Sequence, residues 1–307
     1  MGPRTGVIAL FAALTPLFLL IGSAVGYMFY GDPLLGALIF LVLSAAINIF
    51  TYFFSTALVL RSNSAVMVNE SQAPRLFAAI RQVSQTYNLP MPKVAISDYS
   101  TPNAFATGRN HSNAVVCATS GLLNILDDRE LRGVMAHELA HIKDRDILVM
   151  SIAATIAGAI SWAANSLFFA ALFGGRRNQT GILGLLVMMV TVPIAAAILQ
   201  LAISRRRETE ADVVGARTIG DPLSLASALK KLEYANTTAP LRISPSSSSL
   251  YIVSSGRVSS LMARLMSTHP PLEQRIARLQ KLAYDMGYWS PAAQGPAYTG
   301  KLQKMRF

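Results

Sequence analysis

Four long runs without a charged residue constrain this chain more than any other feature of its sequence. Only 14% of the 307 residues are charged and 52% are hydrophobic, whereas about a quarter of a soluble domain is charged. Each run exceeds the ~20 residues that a helix needs to cross about 30 Å of hydrocarbon. The sequence therefore argues against an ordinary soluble or disordered chain and predicts about four transmembrane helices. The runs cover residues 5–31, 33–60, 147–175 and 178–204.

The four runs differ in how clearly they indicate a membrane span. The first two are rich in Leu, Phe, Ile and Ala. The first is too long for the hydrophobic region of a signal peptide and the second follows almost at once, so we interpret the first as a retained anchor. Ser, Thr, Ala and Gly dilute the third and fourth runs, and Pro193 interrupts the fourth. For these two runs, a buried core helix remains the alternative to a span.

Basic residues near the ends of the runs predict the orientation. Arg4 precedes the first run and Arg61 follows the second, whereas the loop between them holds only Asp32 as a charged residue. Cytoplasmic loops carry an excess of basic residues, so the N-terminus and residues 61–146 are predicted to be cytoplasmic. Two arginines between the third and fourth runs oppose this assignment. Three arginines at the end of the fourth run support it and outnumber them.

The net charge of +11 is concentrated after the last run. Residues 61–146 carry nine basic and eight acidic side chains, whereas residues 204–307 carry fifteen and seven. No aromatic residues interleave with the basic ones in a pattern that suggests base stacking, so the sequence favours anionic lipid headgroups over nucleic acid. Cys117 is the one cysteine. A single cysteine excludes an intramolecular disulfide and a cysteine-based zinc finger. The apolar neighbours of Cys117 predict an inert buried thiol.

The polar segments predict an α+β fold that is mostly α. We divide the chain into two membrane helices over 1–60, a cytoplasmic unit over 61–146, a second membrane pair over 147–204 and a cytoplasmic helical unit over 205–307. Within the polar units, short β-branched-rich runs bounded by turn residues predict strands at 93–97 and 114–118, and the segment between them can form an edge strand at 103–108. Helices are predicted at 71–87, from Asp127 or Asp128 to Asp146, and at 205–218, 223–234 and 273–284.

A metal-binding pattern lies on the helix that follows Asp128. The sequence there is His137-Glu138-Leu139-Ala140-His141. A spacing of four residues puts both imidazoles on one helix face, one turn apart, where they can bind a single Zn²⁺. Glu138 then lies beside the metal, where it can take a proton from water. The alternative is a solvated helix face with two incidental histidines.

A third protein ligand is required, because catalytic zinc usually has three and keeps one position open. Asp144 and Ile147 stand where a local extension of the motif would place Gly and His. Glu208 and Asp212 share a helix face after the fourth run, as a ligand and a carboxylate that orients an imidazole would. Glu210 points away from Glu208. The alternative for this pair is a charged helix end beside the membrane.

A further candidate lies in Thr268-His269-Pro270-Pro271. His269 precedes a helix that starts with two prolines, and its N–H can face a developing oxyanion. Arg275 can assist or can simply anchor the helix. A structural role for His269 as a cap stays open.

These motifs, in this order, resemble the HtpX-type membrane-embedded zinc metalloproteases of the M48 family, relatives of the CAAX prenyl endopeptidase and the Oma-type proteases. The resemblance covers nearly the whole chain: two N-terminal spans, Asn-Ala-Phe-Ala-Thr-Gly, His-Glu-Leu-Ala-His, a second apolar pair, Ser-Arg-Arg-Arg-Glu-Thr-Glu-Ala-Asp and Thr-His-Pro-Pro. It implies a gluzincin-like catalytic domain with a small β-sheet, fused to the membrane helices.

The resemblance also implies roles for individual residues. The zinc ligands would be His137, His141 and Glu208, the general base Glu138, and the carboxylate that orients a ligand Asp212. The edge strand that pairs with an extended substrate would begin at Asn103, Ala104 and Phe105, and His269 and Arg275 would face the reacting carbonyl.

The expected activity is zinc-dependent endopeptidase cleavage of misfolded or damaged membrane proteins at the bacterial inner membrane, with one zinc ion per chain. Two other classes are weighed against it. A zinc hydrolase of a non-peptide substrate, such as a lipid amide, would share the metal site but lack a strand edge for a peptide. A non-catalytic adaptor or transporter would predict ionisable residues inside the spans, and the four runs contain none. The oligomeric state stays open.

Overall fold

The structure is a computed structural model that describes residues 3–156, 205–238 and 270–288. Three predicted features lie wholly or partly outside these residues: most of the third apolar run, the whole fourth run and His269. Within the described residues the chain is mostly helical, with one small mixed sheet.

The first two helices form an antiparallel hairpin. Helix α1 spans Pro3–Tyr30 and helix α2 spans Pro33–Ser62. The turn between them contains Asp32, whose side chain accepts hydrogen bonds from the first backbone N–H groups of α2. Gly36 of α2 has no room for a Cβ, because the backbone of α1 lies directly against it. Small residues at such contacts let two apolar helices approach closely.

Helix α2 has the character of a membrane span. Its most apolar 18-residue window has a mean hydropathy of 2.3, and 17% of that window is buried in the protein. It is the one helix of the described ranges that is long and apolar enough to cross a membrane. The other three predicted spans therefore remain predictions.

The sheet has the strand order β1-β2-β4-β3. Strands β2 and β4 are parallel, and the two outer pairings are antiparallel. The sequence predicted β2 without error and predicted the edge position of β3, but it missed the short strand β1. The strands are β1 (Ala65–Met67), β2 (Lys93–Ser97), β3 (Ala104–Gly108) and β4 (Ala114–Thr119).

Helix α3 (Pro74–Tyr87) packs one apolar face on the core. It starts at Pro74 instead of the predicted residue 71, because the Asn69 side chain accepts hydrogen bonds from Gln72 N and Ser71 Oγ and holds a turn there. Proline suits the first helical turn, since its missing N–H would have no partner in the helix.

The next helices surround the predicted metal-binding pattern. Helix α4 (Ser120–Ile125) was not predicted, and helix α5 (Asp128–Lys143) begins with a capping box of Asp127 and Glu130. The prediction that α5 continues to Asp146 is wrong. Arg145 has φ +61°, a left-handed conformation that interrupts the helix. A new helix, α6, starts at Asp146 and is described to Ile156.

Three further helices complete the described fold and agree with the prediction to within a few residues at their ends. Helices α7 and α8 both pack on α5, and α9 packs on α7 and α8. Helix α5 is therefore covered on several sides, which explains why almost every residue from 130 to 142 is buried. The helices are α7 (Arg205–Ile219), α8 (Pro222–Thr238) and α9 (Leu272–Asp285).

The sheet separates α5 from the hydrophobic helices. One face carries Ala104, Ala106 and Val116 into the core that contains α5. The opposite face carries Phe105 and Cys117 into a cluster with α2 and α6. The unit over residues 61–146 thus packs directly against the last turns of α2.

Candidate metal centre

Two buried imidazoles of α5 form the first half of the site. His137 and His141 lie one helical turn apart, with ring centroids 4.9 Å apart and ring planes at 86°. Their exposed fractions are 1% and 3%. This degree of burial excludes the alternative of two incidental histidines on a solvated helix face.

Helix α7 brings a carboxylate to the same point. Glu208 Oε1 lies 3.4 Å from His141 Nε2, and Glu208 Oε2 lies 3.6 Å from His137 Nε2. One ligand atom from each of the three residues lies within 4.8 Å of the others. The structure therefore brings together the three residues that the sequence proposed as ligands, although the glutamate is distant from both histidines in the chain.

The donor set fits a tetrahedral zinc ion. Nitrogen and oxygen ligands about 2.1 Å from such an ion lie about 3.4 Å from one another. The two separations from Glu208 to the imidazoles, 3.4 and 3.6 Å, match this spacing and exceed the ordinary hydrogen-bond range of about 2.7–3.2 Å. The three ligand atoms together span up to 4.8 Å, so small side-chain movements must accompany the binding of one ion. Two imidazoles and one carboxylate also leave the fourth position open, as catalytic zinc requires.

A second carboxylate orients His137 from behind. Asp212 Oδ1 lies 3.0 Å from His137 Nδ1. Asp212 in turn accepts hydrogen bonds from Arg275 Nε at 2.8 Å and Nη2 at 2.7 Å. Burial raises the pKa of Asp212, but the charge and hydrogen bonds of Arg275 outweigh it and hold the pKa at about 2. Asp212 is therefore an anion at any physiological pH.

The protonation of the two imidazoles is governed by the same neighbours. Burial lowers the pKa of His137, but Asp212 and Glu208 outweigh burial and raise it to about 10. Burial also lowers the pKa of His141, which Asp146 and the charge of Glu208 raise above its usual value. A metal ion must displace these protons, so the affinity for metal falls as the pH falls.

The sequence did not predict the residues behind His141. Asp146 Oδ2 lies 3.7 Å from His141 Nδ1, and Asp146 Oδ1 lies 2.9 Å from Arg207 Nη1. This acid–arginine pair lies behind His141 as Asp212 and Arg275 lie behind His137, but its carboxylate is farther from the imidazole, at 3.7 Å instead of 3.0 Å. In the sequence, an acidic residue five positions after His141 is only weak evidence for a contact with that imidazole. The contact becomes predictable only when the helix break at Arg145 is known.

The two remaining acidic candidates differ in their surroundings. Glu138 is 5% exposed, and its negative charge raises the pKa of both His141 and Arg275. It therefore lies close to the site. Glu210 is half-exposed and pairs with Arg206 at 2.7 Å, so it points away from the imidazoles, as the sequence predicted.

The predicted substrate strand is an outer strand of the described sheet. Asn103 exchanges hydrogen bonds with Thr119 through its backbone N–H and C=O. Ala104 is buried on the α5 side of β3, and Phe105 is buried on the side of α2 and α6. The Phe105 side chain therefore lies in the core, and only the backbone of this residue is suited to pair with a substrate.

A buried pair of histidines with a glutamate beside them, completed by a distant carboxylate, defines the centre of an HExxH-type metalloprotease. Residues 70–283 match the family model described as Peptidase family M48. The chain belongs to peptidase family M48.

Named relatives and one solved structure resemble this chain. It is 47% identical over 291 residues to a protein named "Protease HtpX homolog" from Syntrophobacter fumaroxidans, covering 92% of this chain and 100% of the relative. A protein of the same name from Gemmatimonas aurantiaca is 47% identical over 283 residues, covering 90% and 98%. The crystal structure of S. mikatae Ste24p is 20% identical, with a TM-score of 0.46, and the match covers 90% of this chain and 64% of that one.

Proposed function

We propose that this membrane metalloprotease binds one zinc ion and cleaves polypeptides, chiefly misfolded or damaged membrane proteins, at the cytoplasmic face of a bacterial inner membrane. The observation that carries the proposal is the convergence of His137, His141 and Glu208, all buried, with ligand atoms within 4.8 Å of one another.

Zinc is the metal that this donor set favours. Imidazole nitrogen and carboxylate oxygen are the ligands of many catalytic zinc sites, and the distances from Glu208 to both imidazoles are those of ligands around a tetrahedral ion. When bound, zinc supplies a Lewis acid that polarises the scissile carbonyl and acidifies water. The chain itself supplies the orientation, because Asp212 and Asp146 lie behind the two imidazoles.

Glu138 is the proposed general base. It follows His137 on the same helix and is almost fully buried beside the site. Its carboxylate takes a proton from the attacking water and passes it to the leaving amine. The proposal that His269 steadies the oxyanion rests on the sequence alone, since His269 lies outside the described residues.

The substrate backbone is proposed to pair with β3. This strand pairs with β4 on one side and is the last strand of the described sheet. An extended peptide can add a strand to such an edge through backbone hydrogen bonds, with little dependence on its side chains. Tolerance of many sequences suits a protease that removes damaged proteins.

The direct test compares Glu138→Gln with the wild type in detergent. We expect the variant to keep one zinc ion per chain and to lose cleavage of casein and of a model membrane substrate. Zinc content by mass spectrometry and cleavage by gel assay check both statements. Wild-type cleavage by Glu138→Gln would overturn the assignment of the base.

The third ligand has a matched control two residues away on the same helix. We expect Glu208→Gln to lose zinc and activity, whereas Glu210→Gln keeps both, because Glu210 faces solvent and pairs with Arg206. Purification in the presence of a chelator, followed by addition of zinc, limits self-digestion. Full zinc occupancy in Glu208→Gln would show that another residue is the third zinc ligand.

A further inference from the structure

The exposed apolar surface of α2 ends abruptly. Large exposed hydrophobic side chains occur along this helix from Leu34 to Phe54, and none follows within the helix. The next residues turn toward the protein: Ser55 is buried, and Val59 packs in the cluster that contains Phe105. Two successive parts of one helix therefore have different surroundings.

The length of the exposed part matches a bilayer. Residues 34–54 rise about 30 Å at 1.5 Å per residue, which equals the thickness of the hydrocarbon core. Asp32 lies just before this part and holds a charge outside it. Exposed Tyr30 and Tyr52 lie near its two ends, where aromatic belts meet the membrane surface.

Arg109 lies at the cytoplasmic-unit end of this apolar surface. It follows β3, and its guanidinium carbon is 5.4 Å from the ring centroid of Phe53. Within residues 3–156, 205–238 and 270–288 no carboxylate or carbonyl accepts a hydrogen bond from it. A half-buried arginine at this level has donors available to a ligand from outside the fold.

We propose that the loop 108–113 lies in the headgroup layer and that Arg109 binds the phosphate of an anionic phospholipid. The guanidinium offers a planar set of donors that matches phosphate geometry. Phe53 beneath it fixes its position through a cation–π contact.

A bilayer explains this surface better than a second copy of the chain. The apolar length equals the hydrocarbon thickness, and a cation stands at its boundary, where the lipid phosphates are. The small polar residues Ser44 and Thr51 of α2 are buried instead of lying on the exposed face. The metal-binding helix α5 ends beside the same loop, because His111 Nε2 of the loop lies 3.2 Å from the carbonyl oxygen of Lys143, the last residue of α5.

Depth-dependent fluorescence quenching tests the location. Ser112→Cys and Asn124→Cys each receive a bimane label in the full chain carrying Glu138→Gln, in nanodiscs of phosphatidylcholine and phosphatidylglycerol. Native Cys117 is buried, and burial raises its pKa to about 12, so it does not compete for label. Asn124 is the matched control. It lies in α4, just before the first residue of α5, whereas the loop contacts the last residue of α5.

We expect headgroup spin labels to quench the probe at 112 at least severalfold more than the probe at 124. Equal quenching at the two positions would overturn the proposal. Energy transfer between labels at 112 on two copies, without lipid quenching, would assign the surface to a second copy and would also overturn it.

The lipid preference tests Arg109 itself. With quenchers on phosphatidylglycerol or phosphatidylcholine at equal mole fraction, we expect about fivefold enrichment of the anionic lipid near residue 112. Arg109→Gln should abolish the enrichment of the anionic lipid, to a ratio of about one. Arg129→Gln, at the far end of α5, should leave the enrichment unchanged. A preference that survives Arg109→Gln overturns the phosphate contact. Neither result depends on protease activity.

Discussion

Arg275 holds the carboxylate of Asp212 with two hydrogen bonds, from Nε at 2.8 Å and Nη2 at 2.7 Å, and both side chains are almost completely buried. The sequence suggested that Arg275 faces the reacting carbonyl or anchors its helix. The bidentate contact shows that it positions Asp212, which lies against His137. We therefore expect Arg275 to act as a positioning residue, and a direct role at the reacting carbonyl stays a prediction.

The first prediction concerns the loss of this contact. Arg275→Met leaves the Asp212 carboxylate buried without its partner, which costs about 3–5 kcal/mol of unfolding free energy. We also expect about 10- to 100-fold weaker zinc binding, because the carboxylate no longer orients His137. Thermal unfolding and competition with a chelator measure the two effects.

Arg278→Met is the matched control for Arg275→Met. Arg278 lies one turn further along α9 and bonds Thr209 Oγ1 at 3.1 Å, away from the imidazoles. It should change zinc affinity little. If Arg275→Met kept its zinc affinity and stability but lost kcat alone, the residue would act on the substrate instead.

The second prediction concerns Asp146. We expect Asp146→Asn to weaken zinc binding about 10- to 100-fold, because an amide orients His141 less well than a carboxylate paired with Arg207. Asp144→Asn is the neighbouring control, since Asp144 is a C-cap residue of α5. Competition with a chelator measures the zinc affinity of both variants. Equal zinc affinities in Asp146→Asn and Asp144→Asn would show that Asp146 does not support the metal site.

Features that depend on local sequence patterns were predictable, whereas contacts between segments distant in the chain were predictable only where a motif marked both partners, as for Glu208 and the two histidines. Strand β2 and the pair His137 and His141 follow from spacing within a few residues. The contact of Asp146 with Arg207 depends on two helices that are distant in the chain, so no local pattern signals it. The helix break at Arg145 was missed for a related reason: a non-glycine residue with positive φ has no reliable sequence signature.

The third prediction concerns the single thiol. Burial raises the pKa of Cys117 from its usual value to about 12, so at pH 8 the thiolate fraction falls to about one in ten thousand. We expect a thiol reagent to modify the folded chain about a thousandfold more slowly than the denatured chain. Because the folded pKa is raised, the folded state also loses stability as the pH rises from about 9 to 12. Rapid labelling of the native chain would contradict the burial of β4.

The last prediction concerns the contact between α5 and α7. A Cβ on Gly215 would lie 3.0 Å from Ala136 C and His137 N, both backbone atoms, so α7 must move by a few tenths of an ångström to accept one. Gly215→Ala raises helix propensity by about 1 kcal/mol, which offsets part of the overpacking cost of about 1–3 kcal/mol. The net loss of stability is therefore about 0–2 kcal/mol, and Glu208 and Asp212 on the same helix move relative to the imidazoles. We expect zinc affinity to fall severalfold in Gly215→Ala and to be unchanged in Arg217→Ala, an exposed position on α7. Wild-type affinity in Gly215→Ala would show that the metal centre tolerates a wider separation of the two helices.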